Sequence, residues 1–220
     1  MLHEWIAKMV QVSKRKGKQS AEVAEETRQM ILQVAGRQFA TNGFSGTSLR
    51  DIAEAAGTTH GLIRHHFGSK DDLWRAVVDD FVGQMLARHL PLIQRLDDAD
   101  PIALLKGLAT NYMRLSAEMP EVSKLLVKDC SEAGPRLDHL LSRIRPIHDL
   151  ITPVFEQARA TGRLQAHDPD SFFIFLVMLG SMPFALSDFS DAFSAEGIRT
   201  ERGVDAHVER VLSTLFGEVE

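Results

Sequence analysis

The sequence has a single cysteine, Cys130, among its 220 residues. One thiol cannot form a disulfide within the chain, a usage typical of a reducing compartment, so we expect a cytoplasmic protein. Long apolar runs are also scarce. The charge-free stretch at residues 171–187 is shorter than the roughly 20 residues that a membrane-spanning helix needs, and Glu4 and Lys8 interrupt the apolar segment at residues 2–12. We therefore expect neither a membrane span nor a signal peptide.

Residue patterns that carry catalysis or hold metals are missing as well. The sequence contains no glycine-rich phosphate loop, no paired catalytic carboxylates and no cluster with metal-ligand spacing. Cys130 has no local histidine or asparagine arrangement to activate it, so we interpret it as a buried structural thiol. His60, His65 and His66 are not four apart, the separation that sets two imidazoles side by side on a helix. We expect no enzyme, no metal and no cofactor.

Residues 43–70 hold the most informative pattern, two short helical patterns with a turn between them. The first has apolar residues at helical spacing, which are Leu49, Ile52, Ala53 and Ala56. Thr47 or Ser48 can cap its start, because a hydroxyl oxygen there accepts an unpaired backbone N–H. Gly57 ends it, as a residue free to adopt positive φ does.

A second short helix is predicted over residues 58–66. Ile63 and Phe67 face inward, and the side chains left facing out are Thr59, His60, Arg64 and His65. Leu62 has two interpretations, an outward contact to a thymine methyl or a place in the core. Gly61 costs helix stability, about 1 kcal/mol against alanine, which suggests close backbone approach to DNA. An inward-anchored helix of this kind after a glycine turn is typical of a helix-turn-helix that fits the DNA major groove.

Residues 23–75 resemble the DNA-binding domain of the tetracycline-repressor (TetR) family of bacterial transcription regulators. The resemblance is carried by Phe39, Gly43, Phe44, Thr47, Arg50, Asp51, Ile52, Ala53, Ala56, Gly57, Gly61, His66, Phe67, Ser69 and Lys70. One position departs from the family pattern, because Arg64 stands where an aromatic residue, most often tyrosine, precedes the phenylalanine by three. The resemblance implies that Lys70 contacts a phosphate. The predicted DNA contacts are Thr47, Ser48, Arg50, Thr58, Thr59, His60, Gly61, Arg64, His65, His66 and Lys70.

The charge distribution agrees with a DNA-binding N-terminal end. Residues 1–70 contain ten basic and six acidic residues, whereas the remaining residues contain fifteen basic and twenty-four acidic residues. A basic head on an acidic body suits a phosphate backbone at one end only. Residues 1–20 end in a basic and polar stretch, which we interpret as a mobile tail or as an arm that reaches DNA.

The rest of the chain reads as helices separated by proline and glycine. We predict an all-α fold of about nine or ten helices, with a DNA-binding domain at residues 21–70 and a ligand-binding and dimerisation domain at residues 71–220. Predicted helices include residues 22–42, a helix from Ser69 that ends before Pro91, residues 136–161 and residues 204–216. Pro146 and Pro153 predict kinks or a break in the third of these.

Two further sets of residues are predicted in the C-terminal region. The resemblance implies a ligand pocket among the middle helices, and the aromatic and methionine residues proposed for it are Trp74, Phe81, Met85, Tyr112, Met113, Met119 and Phe155. A helix at residues 171–187 that is apolar on all sides predicts a core on one face and a second subunit on the other. The residues predicted at this homodimer interface are Ile144, Ile151, Phe172, Phe175, Met178, Leu179 and Met182.

These observations favour a homodimeric transcription regulator, a repressor of a two-fold operator in double-stranded DNA that responds to an unidentified small-molecule effector. Two alternatives stay open. An enzyme with a nucleic-acid-binding head would need a reactive constellation, and the sequence shows none. A nonspecific architectural DNA binder disagrees with the acidic body, because nonspecific affinity scales with the number of phosphates neutralised.

Overall fold

The computed structural model describes residues 18–94, 100–129, 131, 133–162, 164 and 166–217. Within these ranges the fold is all-α, as predicted, with ten helices and no strand. The helices are α1 (Lys18–Asn42), α2 (Leu49–Ala55), α3 (His60–Phe67), α4 (Lys70–Ile93), α5 (Pro101–Glu118), α6 (Pro120–Asp129), α7 (Pro135–Ala160), α8 (Pro169–Ala185), α9 (Ser187–Asp191) and α10 (Glu201–Phe216). Residues 1–17 of the predicted basic segment and Cys130 lie outside the described residues.

The buried side chains form two hydrophobic cores. The first core joins α1, α2, α3 and the start of α4 with Leu125 of α6 and Leu140 of α7; its largest fully buried members are Trp74, Phe39, Ile31, Ile52, Ile63, Leu73 and Leu125. The second core runs from Phe81 to Phe216 and joins the rest of α4 to α5, α7, α8 and α10 and to Val122 of α6. Helix α4 therefore belongs to both cores.

Side-chain caps set where several helices begin. Ser48 caps α2, since its hydroxyl oxygen accepts the Asp51 N–H at 3.2 Å and the Asp51 carboxylate accepts the Ser48 N–H at 3.1 Å. Ser69 and Asp72 form the same reciprocal pair at the start of α4. Of the two caps that the sequence left open for α2, the structure selects Ser48.

Three predicted helix boundaries differ from the structure. Helix α1 begins at Lys18 and α10 at Glu201, both earlier than predicted. Helix α4 continues to Ile93, because Pro91 lies in its last turn and removes only one hydrogen bond near the end. Of the kinks or break predicted for α7, the break does not occur: the helix passes through both prolines, since Ile147 and Val154, one residue beyond each, are buried in the second core and hold the flanking turns.

None of the helices in the described ranges combines the length and the hydrophobicity that crossing a bilayer requires.

Candidate nucleic-acid interface and ligand cavity

Helix α3 is held in place from within the first core. Ile63 is 0% exposed and contacts the side of α2 and α4 that faces this core. Thr59 caps the helix, because its hydroxyl oxygen accepts the Leu62 N–H at 3.2 Å. Gly57 before the helix and Gly68 after it have φ of +60° and +81°, a conformation that glycine adopts without strain. The helix begins at His60, two residues later than predicted, because Thr59 is its N-cap.

The opposite side of α3 faces out. We call this side of α3, together with the start of α2, the α3 surface. Its exposed members are Ser48, Arg50, Thr59, Gly61, Arg64 and His65, and its half-buried members are Thr58, His60 and His66. Leu62 is also half-buried, so neither of its two interpretations is eliminated. A Cβ added at Gly61 would approach only the Thr59 hydroxyl oxygen, at 4.0 Å. The fold itself therefore leaves room at position 61, on the outward side.

Two predicted DNA contacts have roles inside the subunit. Thr47 is 2% exposed, and its hydroxyl donates to the carbonyl oxygens of Gly43 and Gln38 at 2.8 and 3.2 Å. The prediction that the Thr47 side chain meets DNA is corrected by this burial. Lys70 is half-buried, its ammonium donates to the carbonyl oxygens of Phe44 and Thr47, both at 2.9 Å, and it lies 4.3 Å from the Phe44 ring centroid. Lys70 thus holds the turn between α1 and α2, although an ammonium has a third N–H.

Three contacts join the C-terminal helices to the N-terminal end. The Arg136 guanidinium, in the first turn of α7, lies 4.3 Å from the Phe44 ring centroid, on the same ring that Lys70 contacts. Lys128 of α6 donates to the Thr41 carbonyl oxygen at 2.7 Å. Asp79 of α4 accepts from Arg143 Nε at 2.8 Å and Nη2 at 2.9 Å, and its Oδ1 lies 2.9 Å from His139 Nε2. Sequence reasoning missed all three, because the paired residues are sixty or more positions apart.

A cavity of about 60 Å³ lies inside the C-terminal region, between α4, α5, α6, α7 and α8. Three of the predicted pocket residues line it, namely Phe81, Met85 and Tyr112. The other predicted positions are corrected. Trp74 belongs to the first core, Met113 is packed beside Gly180, Met119 is the C-cap of α5, and Phe155 lines a smaller adjoining cavity. Amino-acid type selected these positions, whereas the direction of each side chain on its helix decides which of them reach the cavity.

The cavity wall contains one buried histidine, His89, which is 3% exposed. Burial lowers the pKa of His89 from its usual value to about 4, and the hydrogen bond to Leu108 opposes that shift. Its Nε2 lies 3.1 Å from the Leu108 carbonyl oxygen, which only accepts, so Nε2 carries the proton and donates. At neutral pH the ring is therefore uncharged, with Nδ1 left as an acceptor.

One face of α8 exposes large apolar side chains. Phe175, Met178 and Leu179 of the predicted interface are 46%, 49% and 39% exposed, and Met182 is half-buried. The sequence reasoning missed their exposed neighbours Ile174, Leu186, Phe189 and Phe193.

The remaining predicted interface residues face inward. Phe172 is 2% exposed and packs in the second core between the rings of Phe155 and Phe216, while Ile144 and Ile151 line the cavity. Their assignment to the interface is corrected, because Phe172 is buried in the second core and the side chains of Ile144 and Ile151 face the cavity.

The described residues contain no group of three or more histidine, cysteine, aspartate or glutamate side chains placed to hold a metal ion. The rings of His65 and His66 lie 5.7 Å apart and perpendicular. Both belong to the α3 surface, so the histidines are located where DNA contacts were predicted.

Comparisons with known proteins agree with this architecture. The family model described as "Bacterial regulatory proteins, tetR family" matches residues 31–77. The HTH-type transcriptional repressor Rv3405c of Mycobacterium tuberculosis (strain ATCC 25618 / H37Rv) is 38% identical over 135 residues, which cover 57% of this chain and 69% of that protein. The HTH-type transcriptional regulator RutR of Escherichia coli (strain K12) is 28% identical over 202 residues, covering 90% of this chain and 92% of RutR.

A solved structure has the same fold. The crystal structure of AibR in complex with isovaleryl coenzyme A and operator DNA superposes with a TM-score of 0.69 at 19% identity, covering 88% of this chain and 100% of AibR. Helices α2 and α3 lie within the matched family segment, as do all the buried residues of the first core except Val78, Leu125 and Leu140. This chain belongs to the TetR family of bacterial regulatory proteins and is a helix-turn-helix transcriptional regulator.

Proposed function

We propose that the protein is a ligand-responsive repressor that binds a two-fold DNA operator as a homodimer. The observation that carries this proposal is the path of α4. One unbroken helix begins at Lys70, which holds the turn before α2, and then forms part of the cavity wall through Phe81 and Met85. A molecule in the cavity and a DNA duplex on the α3 surface would thus contact opposite ends of the same element.

DNA binding is supported by the chemistry of the α3 surface. Arg50 and Arg64 supply positive charge for phosphates or guanine edges, and Thr59 and His60 stand at the N-terminal end of α3, the end that contacts bases in helix-turn-helix complexes. Gly61 adds no side chain between the helix and a groove. Thr47 is excluded from the contacts proposed here, and Lys70 is retained through its third N–H.

A homodimer is supported by the exposed face of α8. Soluble proteins rarely expose neighbouring side chains of this size unless a partner covers them, and Ile174, Phe175 and Met178 are 55%, 46% and 49% exposed. In the homodimer proposed here a second copy covers this face, and each copy contributes one α3 helix. Two-fold operators with half-sites one DNA turn apart require such a pair.

The cavity is smaller than a typical effector, so a ligand can bind only if the protein changes its conformation. This change would be the response to the ligand. A molecule that enters must displace wall side chains such as Phe81 and Met85, and these are attached to α4. A small movement of α4 would change the separation of the two α3 helices. The sign proposed, repression, rests on the name of the relative Rv3405c, and AibR offers a related fold solved with both a ligand and operator DNA.

The DNA part is tested by measuring binding to an operator selected from randomised duplexes. Arg64→Ala should weaken specific binding by about 1–3 kcal/mol. Arg199→Ala, an exposed arginine just before α10, serves as the matched control and should leave affinity unchanged. Equal effects of the two substitutions would remove α3 from the interface.

The role of Lys70 has its own test, because the structure gives it two possible functions. If its third N–H reaches a phosphate, Lys70→Met should reduce the slope of log K against log salt by about 1 per subunit. If it only holds the turn, affinity should fall while the slope stays the same. In both cases the loss of two hydrogen bonds should lower the free energy of unfolding, by about 1–3 kcal/mol.

The dimer is tested by sedimentation velocity at micromolar concentration. Met178→Asp, in the exposed face of α8, should give monomers with weakened operator binding. Val127→Asp is the matched control, since Val127 is also a 50% exposed apolar residue but belongs to a different helix, α6. A wild-type monomer under these conditions would contradict the proposal.

A further inference from the structure

The wall of the 60 Å³ cavity is unusually poor in polar groups. Of the sixteen described residues that line it, fourteen are aliphatic, methionine or phenylalanine, and only His89 and Tyr112 carry polar side-chain atoms. No lysine, arginine, aspartate or glutamate is among these lining residues. Two arginines on the same helices have acidic partners, since Arg88 pairs with Glu118 and Arg143 pairs with Asp79.

Both polar side chains of the wall are uncharged at neutral pH. Burial keeps the pKa of His89 at about 4 and raises the pKa of the Tyr112 hydroxyl above its usual value. His89 already donates its Nε2 proton to the Leu108 carbonyl oxygen. The wall therefore offers no cation to an incoming carboxylate or phosphate. A charged group buried without a partner is strongly unfavourable.

The shape of the cavity adds a second constraint. Two smaller cavities, of about 20 and 10 Å³, adjoin it, and Leu108 and Ile151 belong to the walls of all three. Movement of these two aliphatic side chains would merge the three spaces. The merged wall would add the polar side chains of His148 and Thr152, but His148 Nε2 already lies 2.9 Å from the Asp170 carboxylate, and the Thr152 hydroxyl donates to the His148 carbonyl oxygen. Even merged, the three cavities are smaller than the roughly 150 Å³ that holds a benzene in an engineered apolar cavity. A ligand must consequently open the space further, and mainly apolar contacts are available to offset that cost.

We infer that the effector of this protein is an uncharged, predominantly apolar small molecule, with a ring or branched hydrocarbon skeleton and at most one or two hydrogen-bonding groups. This inference rests on the proposed function, in which the cavity is the effector site. The expected contacts are dispersion contacts with Phe81, Met85 and Ile151, and one hydrogen bond to Nδ1 of His89. Carboxylates, acyl phosphates and coenzyme A thioesters are excluded as ligands of the buried cavity.

The inference is tested by direct binding in the absence of DNA. Two matched pairs of probes differ in charge at pH 7.5: 1-naphthol with 1-naphthoate, and benzyl alcohol with benzoate. Binding is followed by the NMR chemical shifts of ¹³C-labelled methionine methyl groups. Met85 lies on the cavity wall and reports on the cavity, whereas Met178 lies on the exposed face of α8 and reports on that surface. Met85→Leu assigns the reporting methyl group. We expect each alcohol to shift the Met85 signal with a Kd at least about tenfold lower than that of its carboxylate.

A pair of valine variants locates the binding. Val177→Phe places a larger side chain in the cavity wall and should weaken 1-naphthol binding at least about fivefold, whereas Val127→Phe makes the same change at an exposed position and should not alter it. Circular dichroism confirms that both variants fold. The inference is overturned if a carboxylate binds as tightly as its alcohol, if neither alcohol shifts Met85 at millimolar concentration, or if the two valine variants bind equally.

Operator release is measured separately, so that failures can be told apart. If 1-naphthol binds at Met85 but leaves operator affinity unchanged, the proposed coupling between cavity and α3 is contradicted, while the inferred charge class stands. If a carboxylate binds at Met85 and releases the operator, the proposed function stands, and the inference on effector charge is wrong.

Discussion

The two hydrophobic cores differ in how completely they are filled. In the first core Ile31, Phe39, Ile52 and Ile63 are all 0% exposed and hold α1, α2 and α3 together. In the second core Phe81, Met85 and Leu176 line the cavity of about 60 Å³, whose wall also includes Val78 and Leu140 at the edge of the first core. The comparison teaches that close packing is found where the position of α3 must be fixed, and spare volume is found where a ligand would enter.

Three helices, α4, α6 and α7, contribute residues to both cores. Val77 and Val78 of α4 belong to the first core, whereas Phe81 and Val82, less than two turns further on, belong to the second. A side-chain displacement in the second core would therefore be transmitted to the first core along a short, rigid segment of α4. Each of the following predictions separates the properties of the two cores.

The largest effect is expected in the first core. Phe39→Ala should lower the free energy of unfolding by about 3–5 kcal/mol, since Phe39 is fully buried and little around it can collapse into the space. Urea unfolding followed by circular dichroism measures this loss. Phe193→Ala is the matched control, because Phe193 is 81% exposed and its removal should cost less than about 0.5 kcal/mol.

The second core should make stability depend on pH through His89. In the unfolded chain an imidazole titrates near pH 6.5, but in the folded protein the pKa of His89 is about 4. Between these values only the unfolded state binds the proton, so its contribution to stability is complete above about pH 6.5 and lost toward pH 4, by up to about 3 kcal/mol. Burial also lowers the pKa of His207, which adds a dependence of the same sign.

The measurement is urea unfolding between pH 4.5 and 7.5. His89→Gln should flatten the profile, since glutamine does not titrate and can still donate to the Leu108 carbonyl oxygen. His65→Gln, at an exposed position of α3, is the control and should keep the wild-type profile. Identical profiles for the wild type and His89→Gln would show that His89 is not buried in solution.

The packing of the two cores can be compared directly by adding one methylene group to α4 at a position in each core. Val77→Ile, in the first core, should destabilise by about 1–3 kcal/mol because a well-packed site has no room for it. Val82→Ile, beside the cavity, should be neutral or slightly stabilising. Unfolding free energies in urea give both values, and equal costs would mean that the second core is as tightly packed as the first.

The smallest effect is expected at the α3 N-cap. Thr59→Ala removes the acceptor for the Leu62 N–H and should cost about 1 kcal/mol of stability. Thr59→Ser keeps the acceptor and should restore most of it. Binding-site selection with both variants then separates capping from base recognition, since a contact made by the hydroxyl should survive in serine and disappear in alanine.

Local patterns explain which features could be predicted from the sequence. Ile52, Ile63 and the glycine turn between their helices are fixed by spacing over a few residues, so the helix-turn-helix and the outward position of Arg64 were predictable. Lys70 illustrates the limit. Its place after α3 suggested an exposed cation, but its partners Phe44 and Thr47 lie more than twenty residues earlier, and only the folded chain brings them together.

The C-terminal region was harder for a related reason. Phe172 and Phe175 are three residues apart on an apolar helix, and hydrophobicity alone does not tell the buried one from the exposed one. Likewise Ile151 was assigned to a subunit interface, although it lines the cavity. The rotation of α7 and α8 about their axes is set by packing against α5, α6 and α10, which no local pattern contains.

The ring of Phe44, with Lys70 and Arg136 each 4.3 Å from its centroid, has a consequence for protein engineering. A chimera cut directly after α3 would transfer the recognition helix but leave out both cations, together with Leu125 and Leu140 of the first core. The smallest unit that can be exchanged between regulators of this type therefore extends from α1 into the first turns of α7. The exchangeable unit is therefore defined by the limits of the packed core, and the helix-turn-helix motif alone is too short.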